Sequence, residues 1–364
     1  MKIGLLTVPF NNNYGGFLQA YALTTVLKGL GHEVVILNRR RDRSKKEKLK
    51  RLLRFFWSDK ENVLIDKISV NTKRFVSENM NLTQPIYSTS GLRKEYRNQK
   101  LDCLIVGSDQ VWRYRFAKNS IKDYFFGFMG RDDETPRFSY AASFGVDFQE
   151  YPTKYSKQCA DYLKEFKAIS VREDTAINIL KIYFDVSKDV AVVADPTLLL
   201  QTEDYRSLYN KYASTFQGKY VFRYVLDESK EFKHTLDKIV DNINLPVFSI
   251  KAQTGDISDL GVIEPVEKWL AGIAGASFVI TDSYHGTVFS ILFNRPFVVL
   301  VNPTRGITRI EYLLRHFGLS NRMLSVSDSK NNSEMITSHI NWFEINKTVA
   351  SDRENALDFI VNNL

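Results

Sequence analysis

The chain has 364 residues, 44% apolar and 25% charged, enough for two ordinary hydrophobic cores and too ordinary for a collagen-like or low-complexity protein. No run reaches the length of a membrane span, and two cysteines, Cys103 and Cys159, make no disulfide framework. The formal net charge is +8, but residues 39–54 (RRRDRSKKEKLKRLLR) carry all of that excess, so overall basicity is no argument for nucleic acid.

KIGLLTV (Lys2 to Val8) reads as a buried strand, too short and too strand-like for a signal peptide, and the expected location is cytoplasmic. The loop PFNNNYGG follows, then FLQAYALTTVLKGLGH with Leu18, Ala22 and Val26 at helical spacing, then the strand EVVILNR. Strand, loop, helix, glycine and strand in that order make a βαβ unit. Residues 39–57 come next, with Leu49, Leu52, Leu53 and Phe56 at helical spacing among the lysines and arginines. Such a segment could give weak peripheral contact with the anionic cytoplasmic face of a membrane, or be a basic helix face packing its leucines on a core. No nucleic-acid reading motif accompanies it.

DCLIVGSDQVW, PRFSYAASFG, AISVREDTAINIL and DVAVVADPTLLL continue as strands opening into polar loops or helix starts. A second series begins at KYVFRYVLD, with a helix over 231–242, the strand PVFSIKAQ and a proline-started helix PVEKWLAGIAGA. SFVITDS, HGTVFSILFN, PFVVLV and TRIEYLLRHFG then read as strand, helix, strand and helix. The expected architecture is α/β: two Rossmann-like domains over 1–205 and 206–338 facing across a cleft, with a terminal helix in 339–364 packing back on the first.

Ligands of open parallel sheets bind beyond the carboxyl ends of the strands, which selects the candidate site. Asn13, Tyr14 and Gly15 follow the first strand, and Ser108, Asp109 and Gln110 follow DCLIVG. Arg172 follows AISV, where it either holds a carboxylate or phosphate or pairs with Glu173 or Asp174. Arg223 lies within a strand, and Arg305 and Arg309 flank a turn after the last one. Asp282, Ser283, Tyr284, His285 and Gly286 follow SFVIT. His285 can exchange a proton at neutral pH, at a helix start whose amides attract anions, while Gly286 permits close approach of a ligand. The loop NNNYGG lacks the residues of a Walker loop and of the dinucleotide fingerprint; Asn13 and Tyr14 either bond a sugar or position a helix start. No metal-ligand cluster is evident, so no metal is expected.

FNNNYGGFLQAYAL, VGSDQVW, SYAASFG, ISVREDTA, ADPTLLL and TDSYHGTVFSILFNRPFVVL occur in this order. Together they resemble the polysaccharide pyruvyl transferase family, from Met1 to about Arg322. The resemblance implies a GT-B-type architecture and transfer of a pyruvyl group from phosphoenolpyruvate, as co-substrate rather than cofactor, to two sugar hydroxyls as a cyclic ketal. It further implies His285 as the family's catalytic histidine, Arg172 as a donor-binding arginine, and a glycan or lipid-linked oligosaccharide acceptor. One departure stands out: the arginine that the family carries two residues before the histidine is Ser283 here. Either Arg223, Arg305 or Arg309 supplies the lost cation, or the donor differs. Asp109 and Asp282 are candidates for the base acting on the sugar hydroxyls, and both could instead fix loops. The rival functions are a glycosyltransferase taking a nucleotide-sugar and a non-catalytic glycan-binding protein on the same fold.

Overall fold

The structure is a computed structural model that describes residues 1–10, 13–42, 60–130, 132–226, 230–251, 261–301, 307–325 and 338–364. Arg305 and most of the 39–57 segment therefore lie outside the described residues.

A first sheet has the order β2-β1-β3-β4-β5-β6, from β1 (Lys2–Leu6), β2 (Glu33–Ile36), β3 (Cys103–Asp109), β4 (Arg137–Ala142), β5 (Ala168–Val171) and β6 (Val190–Val192). A second has the order β11-β10-β9-β7-β8, from β7 (Val221–Tyr224), β8 (Val247–Ser249), β9 (Phe278–Thr281), β10 (Phe297–Leu300) and β11 (Met323–Leu324). Every pairing is parallel. A parallel sheet must be covered on both faces, which is why β3, β4, β9 and β10 are buried along their whole length and read as near-continuous apolar runs.

The covering helices are α1 (Tyr14–Gly29), α2 (Lys60–Ile68), α3 (Val70–Asn79), α4 (Thr89–Gln99), α5 (Tyr114–Ala117), α6 (Thr153–Leu163), α7 (Thr175–Phe184), α8 (Thr202–Tyr209), α9 (Lys230–Ile243), α10 (Val266–Ala274), α11 (Tyr284–Leu292), α12 (Thr308–His316) and α13 (Trp342–Asn363). In each sheet the direction of chain progression reverses once, between β1 and β3 and between β7 and β9. Those reversals are the topological switch points where such sheets open a crevice. The loops after β1, β3 and β9 leave from them.

The two halves share one apolar cluster, which runs from Ile3, Leu5 and Phe138 to Phe222, Trp269 and Phe289. Tyr14 joins the two halves within it. The ring of Tyr14, at the start of α1, stacks on Trp269 of α10 at 5.5 Å and meets Tyr224 at 5.7 Å. Its hydroxyl donates to the carbonyl of Glu264 at 3.0 Å. Arg74 of α3 and Lys211 reach the buried Glu267 of α10 at 3.1 and 3.0 Å. The α13 helix binds the first half through Phe359, which meets Phe138 and Tyr140, and through Arg353, which donates to the carbonyls of Leu198 and Leu200. Among the described residues, no helix is long and apolar enough to cross a membrane.

Candidate active site

Segments beyond the carboxyl ends of strands in both sheets meet in a buried polar cluster. From the first sheet come Asp109 at the end of β3, Arg172 and Glu173 after β5, and Asp195 after β6; from the second come Tyr284 and His285 at the start of α11 and Arg309 in α12. All seven are less than a tenth exposed.

Arg172 is the centre of the cluster. Its Nη1 donates to Asp195 Oδ2 at 2.7 Å and its Nη2 to Asp109 Oδ1 at 3.2 Å. The guanidinium lies 4.3 Å from the centre of the Tyr284 ring, so the second half contributes a cation–π face to a cation held by the first. Arg309 reaches across in the other direction. Its Nη1 donates to the same Asp109 Oδ1 at 3.3 Å, and its guanidinium lies 5.5 Å from the Tyr284 ring. Of the local acids that the alternative reading offered, Glu173 makes a loose ion pair with Arg172 at 3.9 Å, while the closer contacts go to Asp195 and Asp109 across the strand ends.

Asp195 is the residue that sequence reasoning missed. ADPTLLL marks an Asp-Pro turn, and the turn is real: Asp195 Oδ1 accepts from the amide and hydroxyl of Thr197 at 3.0 and 2.7 Å. Its other oxygen is left for Arg172, and it stands 3.6 Å from His285 Nε2, too long for a direct hydrogen bond. Its place beyond a strand end is the signal that could have found it, and Glu173 as well.

The electrostatics separate the carboxyls. Burial would raise the pKa of Asp109, but Arg172, His285 and Arg309 outweigh it and hold the group below its ordinary range. Asp195 is held far lower, again against burial, by His285, Arg172 and the Thr197 amide. Glu173 goes the other way: burial raises it, only partly offset by Arg172 and a hydrogen bond from Ser143. Burial, then repulsion from Arg172, pushes Arg309 down to about 10, still cationic at neutral pH.

The remaining expected residues hold this geometry or stand aside. Asn13 is the N-cap of α1 and accepts from Gly15 N at 3.1 Å, the helix-start alternative; Tyr14 joins the two halves as described above. Gly15 packs directly on His285, since a Cβ there would lie 1.9 Å from its Nδ1. Ser108 is buried, donating its amide to Gln19 Oε1 at 3.1 Å and accepting from Thr7 Oγ1 at 3.3 Å. Gln110 accepts from Arg113 at 2.8 Å. Ser283 caps α11, its Oγ accepting from Gly286 N at 3.3 Å, and Gly286 leaves room for Thr281. Asp282 fixes a loop by accepting from Leu226 N at 2.7 Å. Arg223 donates to Ser249 Oγ on edge strand β8 at 3.1 Å, because its strand position turns it toward that edge. Among the described residues there is no group of His, Cys, Asp and Glu suited to a metal ion.

The sequence profile of the polysaccharide pyruvyl transferase family matches residues 13–303. No curated protein matches by sequence. Among solved structures, the chain is similar to Arabidopsis thaliana UGT89C1 complexed with UDP-L-rhamnose, at 10% identity, covering 99% of this chain and 98% of that one with a TM-score of 0.55. It is likewise similar to the UDP-GlcNAc 2-epimerase from Neisseria meningitidis bound to UDP-GlcNAc, at 11% identity, with 100% and 99% coverage and a TM-score of 0.54. At such identities the likeness shows the fold alone, which is the two-domain GT-B architecture.

Proposed function

The chain belongs to the polysaccharide pyruvyl transferase family, and from that premise we propose that it transfers the pyruvyl group of phosphoenolpyruvate to two hydroxyls of a sugar as a cyclic ketal. The observation that carries the reading is the convergence of His285 with two buried guanidiniums, Arg172 and Arg309, beyond the strand ends of facing sheets.

Ketal formation needs a proton delivered to the methylene carbon of the enol. It then needs a cationic ketal carbon met by a hydroxyl, and release of phosphate. His285 is the proton donor to the methylene. Arg172 and Arg309 hold the carboxylate and phosphate of the donor through N–H groups beyond those that bond Asp109, which keeps both contacts. Arg309 takes the part of the family arginine that Ser283 replaces, since both lie against the segment Ser283–His285: Arg309 through the Tyr284 ring, Ser283 as its helix cap. Asp195 fixes Arg172 against His285. The acceptor is a glycan or lipid-linked oligosaccharide, and no cofactor is required. Weak contact of residues 39–57 with an anionic membrane would bring the enzyme to a lipid-carried acceptor.

A second reading is favoured by the fold: two structural neighbours are described with UDP-sugars bound, so a nucleotide-sugar glycosyltransferase remains the rival. Incubation with a panel of p-nitrophenyl hexopyranosides separates the two. Acceptor-dependent phosphate release from phosphoenolpyruvate supports pyruvyl transfer. Release of UDP from a UDP-sugar, with no phosphate from phosphoenolpyruvate, overturns it.

A further inference from the structure

We infer that Glu173 is the base that takes the proton from the attacking sugar hydroxyl and passes it to the departing phosphate. The inference rests on the pyruvyl-transfer reading of the same site.

The two expected candidates are otherwise engaged. Asp109 is bound by Arg172 and Arg309 through the same oxygen, and Asp282 accepts from the Leu226 amide. A carboxylate gripped by two guanidiniums is a weak base, because protonation forfeits both contacts. Asp195 is committed on both oxygens, to Thr197 and to Arg172.

Glu173 differs in geometry. It is 1% exposed, one residue beyond Arg172 and inside the cluster. Oε1 accepts from Ser143 Oγ at 2.7 Å, which fixes the carboxyl plane. Oε2 is buried without a hydrogen-bond partner, and the nearest cationic atom, Arg172 Nε, stands at 3.9 Å. A buried carboxyl oxygen in that condition is costly unless it meets a proton or a hydroxyl, and a sugar hydroxyl supplies both. The groups facing Glu173 are Arg172 on its own segment, Ser143 and the Gly145 amide after β4, Tyr284 of α11, and Arg309 and Tyr312 of α12. Burial outweighs the cations among them, so Glu173 is more basic than an ordinary glutamate while Asp109 and Asp195 are less so. Carboxyls driven apart in this way take different parts in proton transfer.

The protons balance. His285 gives a proton to the methylene carbon, which becomes the methyl group, and the ketal carbon turns cationic. The first hydroxyl oxygen bonds that carbon while its proton moves to Glu173. The carbon–oxygen bond to phosphate then breaks, and Glu173 returns its proton to the departing phosphate, which leaves as hydrogen phosphate. The second hydroxyl closes the ketal and its proton restores His285. No oxidant, metal or further co-reactant enters.

The test uses the full-length protein, phosphoenolpyruvate and whichever p-nitrophenyl hexopyranoside supports phosphate release by the wild type. Glu173→Gln keeps the shape and can still accept from Ser143. It should lower kcat by about 10²–10⁴-fold, leave the Kd for phosphoenolpyruvate within threefold, and abolish the acidic limb of the kcat/KM profile. A second variant, Ser143→Ala, removes a hydrogen bond that stabilises the charged carboxylate, so the acidic limb should move to higher pH. A merely structural glutamate would not move that limb in either variant. An unchanged limb in Ser143→Ala, or a Glu173→Gln enzyme within threefold of wild-type kcat, overturns the inference while leaving pyruvyl transfer standing. If Glu173→Gln does not fold, the Ser143→Ala profile decides. A wild type that releases no phosphate with any acceptor of the panel overturns the underlying reading and the inference with it.

Discussion

Gly15 and His285 touch across the cleft: any side chain at position 15 would collide with the imidazole, because a Cβ there falls 1.9 Å from Nδ1. The first turn of α1 is thus one wall of the histidine's pocket, and the second glycine of NNYGG leaves this contact alone, since its own Cβ would meet nothing closer than 3.9 Å. In an exposed helix Gly→Ala stabilises; at position 15 overpacking should cost about 1–3 kcal/mol and push His285 off its axis. Gly15→Ala should therefore lower the thermal midpoint and reduce phosphate release at least tenfold, whereas Gly16→Ala should keep both near wild type. Differential scanning fluorimetry and the phosphate assay read the two effects side by side.

Asp195 provides a second check, through pH. Its folded pKa is depressed, so its contribution to stability is present above the ordinary carboxylate value and disappears as pH falls through the folded one. Asp195→Asn removes one partner of a buried pair and should cost about 3–5 kcal/mol at neutral pH. That gap between wild type and variant should narrow steadily below about pH 4, where the wild-type carboxylate begins to lose its advantage. Chemical denaturation at several pH values measures it, and a gap independent of pH would show that the Asp195–Arg172 pair is not what the variant breaks.

The strand ends were readable because parallel strands buried on both faces leave long apolar runs, and the residue that follows each run is placed by the topology. His285, Arg172, Asp109 and Arg309 are found together for that reason. Asp195 obeyed the same rule but stood in an Asp-Pro pair, where turn chemistry is a sufficient local explanation. Pairing across the cleft has no local signature: nothing near Arg172 in the chain announces Asp109, 63 residues away, or the ring of Tyr284. The helices α2, α3 and α4 were not legible either. Much of their surface is polar; α3 buries only Thr72 and Phe75, and α4 only Leu92 and Tyr96, too few positions to make a periodic stripe.

A third prediction concerns the brace behind α12. His316 Nε2 lies 2.7 Å from Asp352 on α13, and Arg315 holds Asp174 at 2.5 Å, so the helix that carries Arg309 is tied to α13 and to the first half. The hydrogen bond that His316 donates to Asp352 raises the His316 pKa against the opposing effect of burial. A raised histidine pKa gives stability that is complete below the unfolded value of about 6.5 and is lost as pH rises through the folded one. Wild type should therefore lose thermal stability relative to His316→Gln as pH rises from about 6 to 9. Parallel melting curves across that range would refute the brace.

The last prediction decides which cation stands in for the missing family arginine at Ser283. Arg309 and Arg223 are both arginines of the second half near strand ends, and sequence does not choose between them. Their surroundings do. Arg309 is 7% exposed, shares Asp109 with Arg172 and faces the ring of Tyr284, the residue between Ser283 and His285. Arg223 is only partly buried and donates to Ser249 on the edge strand. Burial and the neighbouring Arg172 also depress the Arg309 pKa, so its charge is costly to hold and an incoming dianionic phosphate would relieve that cost. A charge-assisted contact of this kind contributes about 1.5–3 kcal/mol. Arg309→Gln should then raise the Kd for phosphoenolpyruvate by about 10–100-fold, and Arg223→Gln should raise it far less. Calorimetric titration of each variant with phosphoenolpyruvate gives the comparison directly. Placing the missing charge back in its family position should not rescue binding: Ser283→Arg removes the cap of α11, costing about 0.5–2 kcal/mol, and sets a third guanidinium beside two that already repel. If Arg223→Gln weakens the donor more than Arg309→Gln does, the assignment of Arg309 fails.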